Sequence, residues 1–283
     1  FSNGLSENTF LSYVSTFDNK HLVLSLCTGT GLAGLLGSLW YVFLTAFNCG
    51  TSTIFSTLLI TPILIGISYF GLLSKLPSCN TTPLAEWYSN FFHKITKQNI
   101  YFNCKCFKNK MLLDLAYLPH LGPFIVSVIF VFLFEYYINQ CLHELIYFED
   151  FILTHSQQYS WYQVTYNVSA FCVKSTLNFI TIKSIWYFPI MQGINASILT
   201  VEAILLFLPH FTFALVFVFW EGLMGGYTYS TIFYTLYSEA ETERRPFAMA
   251  FIAIAESIGI SCAAVLAAPA HDFICSLPED YFT

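Results

Sequence analysis

Seven apolar runs punctuate the chain, at about residues 21–47, 52–74, 121–146, 161–180, 184–207, 210–237 and 246–269. A helix rises about 1.5 Å per residue, so roughly 20 apolar residues cross the hydrocarbon core of a bilayer. Each run is therefore predicted to be a transmembrane helix, and residues 1–17 to be the tail of a further, half-polar one. The fourth run carries Gln163, Asn167 and Lys174, and spans only if that polar face turns inward. The fold class expected is an all-α polytopic membrane bundle of about seven complete helices plus part of an eighth. Residues 75–114 form the only long polar stretch. It divides the chain into the end of one transmembrane half (1–75), a central loop (76–116) and a second half (117–283). A kink is expected at Pro62.

The third run changes character before it ends. Residues 134–148 read FEYYINQCLHELIYF. At about 100° per residue, Glu135, Tyr136, Asn139, Gln140, His143, Glu144 and Tyr147 gather on one half of the helix with Ile146, while Phe134, Tyr137, Ile138, Cys141, Leu142, Leu145 and Phe148 occupy the other. Lipid cannot solvate acids and amides, so the polar half is expected to face a bundle interior or a watery cavity. It reads as a wall of a transport path; the other reading is a hydrogen-bonded seam that only holds helices together. Further acids fall in or near the apolar runs. Glu221 stands beside Gly222, Gly225 and Gly226, which permit close backbone approach and are expected to loosen the helix there. Glu256 lies near mid-depth, and Glu202, close to a helix end, is expected to be an exposed charge. The predicted substrate or proton path is thus Glu135, Asn139, Gln140, Glu221 and Glu256. An acid in such a cavity can be charged when wetted and neutral when sealed from water, which makes Glu135 a candidate proton carrier.

Composition agrees: 56% of residues are hydrophobic, 10% charged and 19% aromatic, outside the range of soluble domains. A formal charge of −6 without a basic cluster excludes a nucleic-acid partner. The nine cysteines form no C-x-x-C pair, so no metal site and no disulfide framework is predicted, and no cofactor. Alternating the seven runs puts all eleven Lys and Arg residues on one side, which the positive-inside rule assigns to the cytosol. Glu149, Asp150, Glu279 and Asp280 fall on the other. The lysines of the central loop alternate with aromatic residues, a pattern suited to anionic membrane lipids. Within that loop Tyr88-Ser-Asn-Phe91 fits a tyrosine-based pattern read by sorting adaptors. Gly29-Thr-Gly31-Leu-Ala-Gly34 spells a dinucleotide fingerprint, but with no βαβ context it reads as a helix-packing surface. His143-Glu-Leu-Ile-Tyr147 lacks the second histidine of a zinc protease, and with no Walker loop or serine elbow the chain is not expected to be an enzyme. The start at Phe1 inside a half-polar helix leads us to expect that N-terminal helices are missing from this sequence.

Several segments together resemble the battenin family of lysosomal membrane proteins. They are Gly4-Leu-Ser-Glu-Asn-Thr-Phe-Leu11, Thr28-Gly-Thr-Gly-Leu-Ala-Gly-Leu-Leu-Gly37, Glu135-Tyr-Tyr-Ile-Asn-Gln140, Gln157-Gln-Tyr-Ser-Trp-Tyr-Gln163, Glu221-Gly-Leu-Met-Gly-Gly226, Phe247-Ala-Met-Ala250, Gly259-Ile-Ser261 and His271-Asp-Phe273. The resemblance implies a helical bundle like that of the major facilitator superfamily, in the late endosomal, lysosomal or vacuolar membrane. It also implies export of glycerophosphodiesters, with effects on lysosomal pH and basic amino-acid homeostasis. The substrate would be a small polar or anionic metabolite. The rival is a scaffold or trafficking factor of the endolysosomal system that moves no solute. Three departures from the family pattern stand at Cys141, His143 and Thr231. An apolar residue is usual where His143 sits, so restoring one is expected to cost little.

Overall fold

A computed structural model describes residues 9–11, 13–15, 20–71, 104–176 and 184–277. The sorting pattern at Tyr88-Ser-Asn-Phe91 and most of the expected central loop lie outside the described residues. Helices α1 (Lys20–Ala46), α2 (Thr51–Leu58) and α3 (Ile60–Gly71) are followed by the long α4 (Cys104–Tyr137). That helix runs on through a π-helical turn, Ile138–Leu142, and a last α turn, His143–Leu145. Then come α5 (His155–Thr176), α6 (Tyr187–Leu205), α7 (Phe211–Glu239) and α8 (Arg245–Cys275). Among the described residues there is no strand. Six stretches are long and apolar enough to cross a membrane: His21–Ala46, Thr51–Gly71, Tyr117–Leu145, Tyr187–Leu205, Phe211–Glu239 and Arg245–Cys275. The chain is an all-α, multi-pass membrane protein.

Two compact units divide it: Phe1–Val42 with Tyr117–Thr283, and Phe43–Ala116. In the second, the second apolar run is broken at Leu59, whose N–H reaches back to the carbonyls of Ser56 and Thr57. The break thus precedes Pro62, which sits in the first turn of α3, where its missing N–H costs little. Of α2 and α3 only Ile54 is buried; Phe55, Ile63, Ile65 and Ile67 all point outward, as side chains bathed in hydrocarbon do.

The first unit is an up-and-down bundle. α4, α6 and α8 run one way, and α5 and α7 return beside each other. Close approach between them is set by small residues. A Cβ at Gly226 would lie 2.9 Å from the Ala170 backbone, and one at Gly259 would lie 2.6 Å from the Ile129 carbonyl oxygen. Gly31 and Gly34 likewise face Phe171, Lys174 and Asn167 of α5, so the glycine run of α1 is a packing surface. The fourth apolar run exists as α5 but begins earlier, at His155, and is too polar to count among the six spans. Its 22 residues, about 33 Å long, lie along α7, which shields its polar side chains. The α4–α5 connection is closed by Gln158, 0% exposed: it donates to the carbonyls of Phe148 (2.8 Å) and Leu153 (2.9 Å) and accepts from the Phe148 N–H (3.1 Å).

Apolar side chains gather in three clusters along this bundle. One joins Leu121, Val128 and Phe132 to Phe233, Leu236 and Ile252; a second joins Ile138, Leu142 and Ile146 to Leu199, Val218 and Ile274; a smaller third joins Leu24, Val131 and Phe188 to Met224 and Tyr227. The polar residues of α4 and α7 sit among them.

Candidate functional site

Glu135 stands two residues before the last α-helical position of α4, Tyr137, and the following π turn decides where its neighbours point. In that turn the His143 N–H reaches the Ile138 carbonyl, five residues back. Such turns widen a helix locally and recur at functional sites. The Asn139 amide donates to the Glu135 carbonyl (3.0 Å), supporting the stretched ladder, and to Glu221 Oε1 across on α7 (2.7 Å). Turning Asn139 and His143 inward turns Gln140 and Glu144 outward, where both are exposed. Uniform winding had put all four on one inward face; the widened turn is the physical reason it does not hold.

Glu135 is buried and lines a cavity of about 120 Å³. The Tyr166 hydroxyl of α5 donates to its Oε1, and Gly225 of α7 leaves the space its carboxylate fills. Its Oε2 is buried and has no hydrogen-bond partner among the described residues. Glu256 of α8 and Lys174 of α5 line the same cavity, with Thr30 of α1 and Tyr229 of α7. Lys174 holds its ammonium 4.4 Å from the centre of the Tyr229 ring, a cation–π contact, and its positive charge acts on Glu135. Five helices thus bring two acids, one cation and three phenols to one small space. Buried charge of this kind is costly unless paired, which is why it is seldom without a task.

A second group adjoins it. Glu221, 0% exposed, meets Asn139 and lies 3.4 Å from His143 Nε2, while Gln163 of α5 faces both Asn139 and His143. His143 stacks on Tyr162 at 5.1 Å. Of the five predicted residues, the structure therefore gathers Glu135, Asn139, Glu221 and Glu256 and leaves Gln140 outside. α7 passes Glu221 unbroken from Phe211–Glu239, so the glycines beside it serve close packing and do not loosen the helix. Glu202 is another correction: it is 0% exposed, and its Oε2 accepts from the Leu208 N–H (2.9 Å), closing the turn around the left-handed Leu206 (φ 45°). His143, where an apolar residue was expected to cost little, is buried within the polar group. Sequence reasoning missed Tyr166, Gln163 and the role of Lys174. The polar face noted on 161–180 was the signal, since Gln163, Tyr166 and Lys174 recur near helical spacing.

Comparison with known proteins agrees over the whole length. The family model described as CLN3 protein matches residues 1–277. The chain is 32% identical to battenin of Canis lupus familiaris over 98% of its own length and 63% of that protein. It is 27% identical to protein btn-1 of Neurospora crassa over 99% of the chain and 68% of that protein, and 25% identical to protein BTN1 of Saccharomyces cerevisiae over 94% and 69%. It thus spans less than two thirds of the length of the dog protein. With the helices, the glycine contacts and the buried acids in place, the chain belongs to the CLN3 protein family.

Proposed function

We propose that this protein is a secondary transporter of the lysosomal, late endosomal or vacuolar membrane that moves a small polar or anionic metabolite. The observation that carries this reading is the cavity within the bundle, where Glu135, whose Oε2 has no hydrogen-bond partner among the described residues, shares space with Glu256 and Lys174. A polar pocket set among apolar clusters suits a site reached from one side at a time, the alternating access of facilitator-like bundles. Lys174 supplies the positive charge an anionic solute needs, and Glu135 and Glu256 supply groups able to exchange protons with it. By family resemblance the solutes to try first are glycerophosphodiesters, with basic amino acids and lysosomal pH as further readouts. The basic ends of the helices face the cytosol in this reading.

A structural seam would satisfy its own polar atoms; this cavity leaves a carboxylate oxygen without a partner among the described residues, which favours transport over a scaffold. The test is uptake of labelled glycerophosphodiesters into vesicles carrying the full-length protein. Saturable uptake lost in a Lys174→Met protein supports the reading. A protein that inserts, binds cytosolic adaptors and moves none of these solutes would replace it with the scaffold.

A further inference from the structure

Four polar side chains from three helices close a ring beside the cavity: Asn139 and His143 of the α4 extension, Gln163 of α5 and Glu221 of α7. Asn139 Nδ2 donates to Glu221 Oε1 at 2.7 Å. Gln163 Nε2 lies 3.3 Å from Asn139 Oδ1 and 3.4 Å from His143 Nδ1. The ring closes where His143 Nε2 faces Glu221 Oε2 at 3.4 Å. Both of those atoms are buried, and neither makes a hydrogen bond to any described residue. They have only each other.

Donor counting assigns the protons. An amide nitrogen only donates, so Gln163 makes Nδ1 an acceptor and places the hydrogen of a neutral imidazole on Nε2, which stands 3.4 Å from Glu221 Oε2 without a formed hydrogen bond. The ring then carries one net negative charge on the fully buried Glu221, and an uncompensated buried charge is costly. One added proton removes that charge. It can complete an imidazolium beside the carboxylate, or sit on Oε2 and donate to Nε2. In either case Nδ1 now carries a hydrogen. It can no longer accept from Gln163, whose amide must reverse to present its oxygen. Reversed, that oxygen also faces the Asn139 oxygen, so the Gln163–Asn139 hydrogen bond is lost while Gln163 keeps its partner in His143.

We infer that His143 and Glu221 bind one proton between them, and that its arrival reverses the Gln163 amide and breaks its hydrogen bond to Asn139 in the π turn of α4. The surroundings leave this pairing as the way to neutralise Glu221. On α4 the nearby titratable groups are Glu135, Cys141 and the exposed Glu144. α5 contributes Tyr162, stacked on His143, and Tyr166, bound to Glu135. Glu202 of α6 acts on Tyr162, Cys275 of α8 acts on Cys141, and Glu256 of α8 and Tyr229 of α7 line the adjoining cavity. Lys174, the cation of that cavity, acts on Glu135. The transport reading gains a second proton site from this, and supplies only the direction of proton flow.

The test is infrared difference spectroscopy of the full-length protein in lipid vesicles, stepped from neutral to mildly acidic buffer, with side-chain amides isotope-labelled. The wild type should show carboxyl, imidazole and amide changes together. Glu221→Gln and His143→Phe should each remove the same carboxyl and imidazole bands, and Gln163→Met should remove the amide change while proton uptake remains. Glu221→Gln keeps the ring's hydrogen bonds, and thermal melting identifies any variant that fails to fold; His143→Gln then replaces His143→Phe. If the carboxyl band lost in Glu221→Gln persists in the His143 variant, the shared site is overturned; a band from Glu135 remains in both. Solute flux on the same vesicles separates the two ideas: these bands without flux reject transport alone, and gradient-driven flux without them rejects the proton pair alone.

Discussion

The carboxylate of Glu135 occupies the space that a Cβ on Gly225 would take. A glycine on α7 and an acid on α4 therefore form one feature, and changing either moves the other. In Gly225→Ala the obstacle is the free end of a flexible side chain, so the helices need not part. The acid must leave Tyr166 instead. Stability should change by no more than about 1 kcal/mol, while vesicle uptake falls at least several-fold. Melting curves and flux on one preparation check this, and unchanged uptake would disconnect the acid from transport.

Gly226 and Gly259 should behave in the opposite way. A Cβ there meets backbone, the Ala170 Cα at 2.9 Å and the Ile129 oxygen at 2.6 Å, and backbone cannot step aside. Alanine at either position should cost about 1–3 kcal/mol by overpacking. Gly37→Ala, with nothing within 4 Å, is the matched control and should leave the melting point unchanged.

Much of this was legible in the chain. Spans follow from length and apolarity, and six of the seven expected runs are long and apolar enough to cross a membrane, while the fourth is a helix too polar to count among them. Glu135, Asn139 and Glu221 stood out as polar groups in apolar runs, and they do meet. Gln140 and Glu144 were misplaced because a wheel drawn at constant pitch cannot anticipate one π turn, which depends on Asn139 finding Glu221 across the bundle. Glu202 was misread for a related reason: its proximity to a helix end suggested solvent, yet the chain folds back over it and the Leu208 N–H takes its charge. Partners supplied by another helix leave no local trace.

Gln158 offers a test of how the α4–α5 connection is held. Gln158→Leu keeps most of the volume and removes three hydrogen bonds to Phe148 and Leu153. Each buried group left unpaired costs about 1–3 kcal/mol. Residues 146–154 should then exchange amide hydrogens faster, with little change along α7. Unaltered protection of the connection would show that the aromatic contacts of Phe151 hold it without Gln158.

The two ends of α7 offer a test of sidedness. Phe151 packs on Phe211 at 4.8 Å, which puts Asp150 at the start of that helix, and Glu241 lies just past its end. Its 29 residues extend about 43 Å, more than a hydrocarbon core. In a cysteine-free background, Glu241→Cys should react with an impermeant thiol reagent from the cytosol and Asp150→Cys only from the lumen. Reaction of both from one side would reject the crossing of α7.

Glu135→Gln is the decisive substitution for the proton. A carboxyl can carry a proton across only if it is wetted in turn by compartments of different acidity; glutamine has the same shape and no exchangeable charge. The amide can still accept from Tyr166 and still fits over Gly225, so the fold and the helix contacts should survive. If Glu135 loads a proton from the acidic lumen and releases it to the cytosol, the variant should lose its response to a pH gradient, while exchange of solute for solute persists. Asn139→Ala should instead weaken solute binding, because it removes the donor to Glu221 and the support of the π turn. A purely structural seam gives another pattern: Glu135→Gln preserves every hydrogen bond, and uptake with and without a gradient stays at the wild-type ratio. Uptake measured in vesicles under both conditions separates the two, and a variant that still follows the gradient would remove Glu135 from the proton path and leave the His143–Glu221 pair as the remaining carrier.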